Sequence, residues 1–190
     1  MKRIAIFASG SGSNFEAIVS AFDNGDLAAV PALCVCDKPG AMVIDRAKNH
    51  NIPVIVVSPK DFPDKTSYET FIARELEKAR IDLICLAGYM RIIGPTLLSR
   101  YPNRIINIHP SLLPAFKGAH AIRDAFEYGA KVFGVTIHYV DESLDGGQII
   151  SQSAFPYEGN DIDELETLIH KTEHKLYPIT INKILNESLI

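Results

Sequence analysis

Short continuous apolar runs alternate along the chain with longer stretches in which apolar residues return every three or four positions. Residues 4–8 form the first run. It meets the polar sequence Ser9-Gly10-Ser11-Gly12-Ser13-Asn14, after which Phe15, Ile18, Val19 and Phe22 recur at helical spacing. The pattern predicts a buried strand, a glycine turn and a helix that stops near Gly25. Residues 32–36 predict a second strand, followed by Asp37-Lys38-Pro39-Gly40 and a weaker helical stretch to Asn51, and residues 54–57 a third. Tyr68, Phe71, Ile72, Leu76 and Ala79 mark the next helix, and residues 83–87 a fourth strand ending at Gly88-Tyr89. Strands that read as unbroken apolar runs are covered on both faces, so this half predicts a parallel sheet with right-handed crossovers, a doubly wound α/β arrangement.

The second half changes character. Ile105-Ile106-Asn107-Ile108-His109 reads as a strand with polar side chains at its end, where Pro110 blocks further pairing. Residues 133–140 alternate, with Thr136 and His138 on one face and Val135, Ile137 and Tyr139 on the other; residues 148–155 can pair beside them. The sheet is therefore expected to continue with mixed direction. Residues 161–186 predict a long helix on Ile162, Leu165, Ile169 and Leu176, which Pro178 must kink or divide. Without repeats, linkers or low-complexity stretches, one domain is the simplest reading.

Composition narrows the classes. At 47% apolar and 22% charged, 190 residues can bury a core without disulfides or a structural metal, which argues against disorder. A net charge of −4 with no basic stripe disfavours a nucleic-acid partner. Cys34, Cys36 and Cys85 lie in apolar runs and suit reduced core residues, and no apolar run is long enough for a signal peptide or membrane span. A cytoplasmic protein is expected. Neither a short-spaced histidine pair nor a complete cysteine set points to zinc.

Three segments can carry chemistry. In Gly10-Ser11-Gly12-Ser13-Asn14, backbone N–H groups at a helix start favour an anion such as phosphate, although a plain glycine turn capped by Asn14 fits the spacing equally well. A dinucleotide fingerprint is a poor match, since its third glycine would fall at Phe15, and the lysine of a P-loop is absent. Asn107 and His109 emerge from one face of their strand, about 7 Å apart, near a carboxyl end where open α/β sheets bind ligands. Leu144-Asp145-Gly146-Gly147 is by itself a common turn; it becomes informative if Asp145 reaches His109, because a carboxylate beside an imidazole orients it.

Together with Leu86-Ala87-Gly88-Tyr89-Met90-Arg91-Ile92, Asn107-Ile108-His109-Pro110-Ser111-Leu112-Leu113-Pro114 and Gly134-Val135-Thr136-Ile137-His138, these segments resemble the folate-dependent phosphoribosylglycinamide formyltransferases over nearly the whole chain. The resemblance implies a Rossmann-like formyltransferase domain spanning 1–190. Its first hundred residues would form the phosphate-binding half, and 101–190 the catalytic and folate-binding half. It implies transfer of a formyl group from 10-formyltetrahydrofolate to the amine of glycinamide ribonucleotide in purine synthesis, without a metal or covalent intermediate. Asn107 would donate to the formyl oxygen, His109 would stabilise the oxyanion or pass a proton, and Asp145 would orient His109.

By the same likeness Gly12, Ser13 and Asn14 would hold the ribonucleotide phosphate and Glu173 the sugar hydroxyls. Met90, Arg91, Ile92 and Ile93 would form one wall of the folate pocket, with Val140, Asp141, Glu142 and Leu144 the other, and Arg91 could meet an acidic folate tail. Lys65 falls where related sequences can carry arginine, preserving charge but losing bidentate geometry. Thr136 and His138 are expected behind the site, positioning water or Asp145, or His138 is simply a satisfied inner histidine. Ala115-Phe116-Lys117-Gly118 is a less usual version of its segment, and His120 is ambiguous.

A formyltetrahydrofolate hydrolase would use the same Asn-His-Asp chemistry with water as acceptor, but carries an amino-terminal regulatory domain for which the chain has no room. A methionyl-tRNA formyltransferase would carry a further carboxyl-terminal domain and a basic surface. A non-catalytic nucleotide-binding module would keep only the glycine loop. Monomer and homodimer both remain compatible with the sequence.

Overall fold

A computed structural model describes residues 1–187, so the last three positions of the expected 1–190 domain lie outside the described residues. Seven strands form one sheet: β1 (Lys2–Ala8), β2 (Ala29–Cys36), β3 (Val54–Val56), β4 (Leu83–Leu86), β5 (Ile105–His109), β6 (Val132–Tyr139) and β7 (Ile149–Pro156). Their order is β3-β2-β1-β4-β5-β6-β7. Neighbours from β3 to β5 are parallel, whereas β6 runs antiparallel to β5 and β7 to β6. The α/β class, the parallel half and the mixed continuation are thus as expected.

Helices cover both faces: α1 (Ser13–Asp23), α2 (Met42–Asn49), α3 (Lys65–Lys78), α4 (Pro95–Arg100), α5 (Ala121–Tyr128) and α6 (Ile162–Glu187). Along β1, Ile4, Ile6 and Ala8 enter one apolar cluster while Ala5 and Phe7 enter the other, and all five are sealed from solvent. That double burial is why the strand carries no polar alternation. The sheet reverses direction of growth between β1 and β4, the switch point at which open α/β sheets leave a crevice beyond their carboxyl ends.

Two helices escape the sequence pattern because they are short. α4 has six residues and opens on Pro95; α5 buries only Ala121 and Ala125 before Gly129 ends it at φ 84°. Of the kink or division expected at Pro178, division does not occur: α6 continues through it. Interior proline costs a helix about 3 kcal/mol. Here Tyr177, Ile181 and Leu185 are buried on either side of it, so packing offsets the local loss. On β6, Thr136 and His138 are buried like Val135 and Ile137, and the 111–113 loop covers Thr136.

Candidate active site

A cleft of about 490 Å³ opens over the carboxyl ends of β1, β4 and β5. It is large enough for a small-molecule ligand. Loops after these strands supply its floor, the segment after β6 one wall, and α6 the far end.

Asn107, His109, His138 and Asp145 meet at its centre. His109 Nε2 lies 2.8 Å from the Phe116 carbonyl. A carbonyl only accepts, so Nε2 carries the hydrogen and Nδ1 turns toward Asp145 Oδ2 at 3.6 Å. Asp145 occupies the left-handed region at φ 48°, and its Oδ2 accepts from the Gly118 N–H at 2.8 Å. The glycines that follow meet a packing demand: a Cβ on Gly147 would strike the Tyr139 carbonyl oxygen. The separation of Asp145 and His109 in sequence is thus closed by the fold.

Asn107 is held from behind. His138 Nδ1 donates to the Tyr139 carbonyl at 2.8 Å, leaving Nε2 to accept from Asn107 Nδ2 at 3.2 Å. Burial pushes the His138 imidazole below its ordinary value, with the Tyr139 carbonyl and Asp145 pulling weakly the other way. The 3.8 Å approach of His138 Nε2 to Asp145 Oδ1 is therefore not an ion pair: a neutral ring with its lone pair on Nε2 engages Asn107 instead. One N–H of the Asn107 amide is fixed, which aims the other. A bulge in the β6–β7 pairing occurs at this histidine. Thr136 makes no hydrogen bond to Asp145. Its hydroxyl donates to the Ser111 carbonyl at 2.7 Å and accepts from the Leu113 N–H at 3.0 Å, so it braces the loop after β5.

The glycine loop forms one end of the cleft. Gly12 begins α1 at φ 74° without a side-chain cap, so Asn14 is not the cap. A Cβ on Gly12 would lie 2.6 Å from Val43 Cγ2, and Arg46 Nε donates to the Ser11 carbonyl at 2.9 Å. The loop is pressed onto α2 with the first N–H groups of α1 facing the cleft. Asn14 Nδ2 donates to Glu173 Oε2 at 3.0 Å, while Asn14 Oδ1 is buried without a partner among the described residues. Glu173, 5% exposed, also accepts from His170 Nδ1 at 2.9 Å, and that bond raises the His170 pKa. His170 lines the cleft and was missed in the sequence; its three-residue spacing from Glu173 was the available signal.

The other end is apolar. Met90 and Ile92 are 62% and 68% exposed at the mouth, facing Leu144 across it, while Ile93 anchors the segment in the core. Among the described residues the amides of Arg91 and Ile92 have no protein partner, so they can read a polar ring edge. Arg91 Nε is engaged by Asp37 at 2.6 Å. Val140 and Asp141 line the opposite wall, whereas Glu142 does not. Lys65 also stays outside the lining, with its Cε packed toward Gly94. His120, exposed at the start of α5, is likewise outside it.

Backbone groups of the 115–118 segment were missed. Phe116 O and Gly118 N orient the imidazole and the carboxylate, and Ser111 Oγ donates to the Ala115 carbonyl at 2.6 Å to hold the segment. No group of three or more His, Cys, Asp or Glu side chains among the described residues is placed to hold a metal ion. No helix among them is long and apolar enough to cross a membrane.

A glycine loop at a helix start and an apolar slot flank an amide, an imidazole and a carboxylate in one cleft, and the chain belongs to the formyl transferase family, which it matches over residues 2–181. It is 50% identical over 186 residues to a phosphoribosylglycinamide formyltransferase of Bacillus subtilis, covering 97% of this chain and 95% of that protein. The crystal structure of glycinamide ribonucleotide transformylase 1 from Geobacillus kaustophilus matches with a TM-score of 0.94 and 56% identity over 97% of this chain and 99% of that one. A trifunctional purine biosynthetic protein of Drosophila melanogaster is 40% identical over 97% of this chain, which spans 14% of that longer protein.

Proposed function

We propose that this chain is a cytoplasmic enzyme of purine biosynthesis that transfers the formyl group of 10-formyltetrahydrofolate to the amine of glycinamide ribonucleotide. The observation that carries the reading is the placement of Asn107, His109 and Asp145 between a phosphate-type loop and an apolar slot within one cleft. The ribonucleotide phosphate lies on Gly12, Ser13 and Asn14, and its sugar hydroxyls face Glu173. The reduced folate enters between Met90–Ile93 and the wall carrying Val140, Asp141 and Leu144. Glu142 and Lys65 lie outside that lining. A single domain supplies both substrate sites.

The free amine attacks the formyl carbon directly. A C–N bond forms, the carbonyl oxygen takes up negative charge, and collapse breaks the bond to N10, so that one proton leaves the amine and one reaches N10. The N–H of Asn107 not used by His138 is the donor for the oxyanion. His109 acts through Nδ1, because Nε2 is committed to the Phe116 carbonyl. Asp145 stabilises the charged ring and fixes its direction. No nucleophilic side chain or metal enters this sequence of steps.

The test is to incubate the protein with both substrates and follow tetrahydrofolate and formylated ribonucleotide. Equal amounts of the two are expected. Formate released at the same rate without the acceptor would instead make the protein a hydrolase.

A further inference from the structure

Asp37 stands just past the end of β2 with its carboxylate sealed from solvent, and no step of the chemistry uses it. One oxygen accepts from the Ser9 hydroxyl at 2.5 Å and the other from Arg91 Nε at 2.6 Å. The Ser9 oxygen in turn accepts from the Met90 N–H at 2.8 Å. Ser9 leads directly into the glycine loop, and Met90 and Arg91 open the apolar wall. The carboxylate therefore spans the switch point between β1 and β4 and ties one ligand loop to the other. Removing a partner from a buried charge is strongly destabilising, so the three groups keep their places only as a set.

Glu69 on α3 gives the contrast. Also buried, it accepts from the N–H groups of Gly94 at 2.5 Å and Leu97 at 3.2 Å. It anchors the far end of the 90–94 segment and makes no hydrogen bond to the glycine loop. One buried carboxylate serves a single ligand loop, the other serves both.

We propose that Asp37 is a positioning residue through which ribonucleotide and folate binding are coupled, an inference that rests on the assignment of those two ligands to the two loops. A ligand that fixes the glycine loop fixes Ser9, and through Asp37 and the Met90 amide it fixes the folate wall before folate arrives. The second ligand then pays less ordering cost, and the effect is reciprocal.

Titration calorimetry on the full chain tests this, with glycinamide ribonucleotide and tetrahydrofolate, which lacks the formyl group and so permits no turnover. Each ligand is expected to tighten the other by about fivefold or more in the parent protein. Asp37→Asn should bring that factor close to one and raise both KM values by more than it lowers kcat. Ser9→Ala, which removes only a hydroxyl, should lose the coupling too, and it carries the test if Asp37→Asn does not fold. Glu69→Gln should weaken folate alone and keep the factor. An undiminished factor in Ser9→Ala or a folded Asp37→Asn, or no coupling in the parent protein, overturns the proposal. Absence of formylated ribonucleotide in the assay above would overturn the substrate assignment instead.

Discussion

The two ends of the cleft are built on opposite plans. At the glycine loop the working groups are backbone N–H groups, backed by contacts from several elements: Gly12 against Val43, Arg46 on the Ser11 carbonyl, Asn14 on Glu173. At the apolar end side chains supply the cover around the unpartnered amides of Arg91 and Ile92, and Met90, Ile92 and Leu144 stand largely in solvent. A charged guest demands a preorganised polar frame, because reorienting dipoles costs free energy at the moment of binding. An apolar guest needs only area to cover, and that area stays wet until it comes. The first end should therefore fail abruptly when altered and the second by degrees.

The centre, which serves both ends, should show the largest effect. Asn107→Ala and His109→Ala are each expected to lower kcat on the order of a hundredfold or more, as removal of an oxyanion donor or proton carrier does. Unchanged turnover in either would remove its assigned role. Asp145→Asn should slow the reaction while the thermal transition stays cooperative.

Next comes Gly12→Ala. The new Cβ meets Val43 at a backbone angle that favours glycine, so the loop must shift. Displacement that weakens binding by about 1.4 kcal/mol is a tenfold rise in the KM for ribonucleotide. The KM for folate should move much less; equal changes in both would erase the contrast between the ends.

A smaller effect concerns pH. Burial favours neutral His138, so its contribution is present above the ordinary imidazole value, about 6.5, and is lost as pH falls through its depressed value in the fold. Protonation at Nε2 would also turn an acceptor for Asn107 into a donor. Activity should consequently drop on the acid side. His138→Gln, whose amide oxygen can accept the same bond without titrating there, should flatten that limb of the kcat profile; a limb of unchanged depth would assign it to another group. Smallest of all, Met90→Ala and Ile92→Ala are each expected to raise the KM for folate by about threefold to tenfold, the scale of one partly covered apolar side chain. A collapse of activity would show that this end is as rigid as the other.

The sequence displays these regions unevenly, for physical reasons. Buried parallel strands such as 4–8 and 83–86 announce themselves as apolar runs, whereas α4 and α5 are too short to show a period. Asn107 and His109 are legible because strand alternation puts them on one face beside a proline. The groups that orient them are not: Phe116 O and Gly118 N are backbone atoms that any residue would carry. Asp37 and Glu69 look like ordinary surface acids until the fold brings their donors from distant segments. The alternation of β6 shows which face Thr136 takes, but not that its partners lie in the loop after β5.

Tyr177 extends this logic to the longest helix. Its hydroxyl reaches from α6 through the core to donate to the Leu86 carbonyl at 2.8 Å, at the point where β4 gives way to the apolar wall. One turn earlier the same helix carries Glu173 into the opposite end of the cleft. A single rod thus spans both ends of the cleft, and sliding it along its axis would change the distance between them.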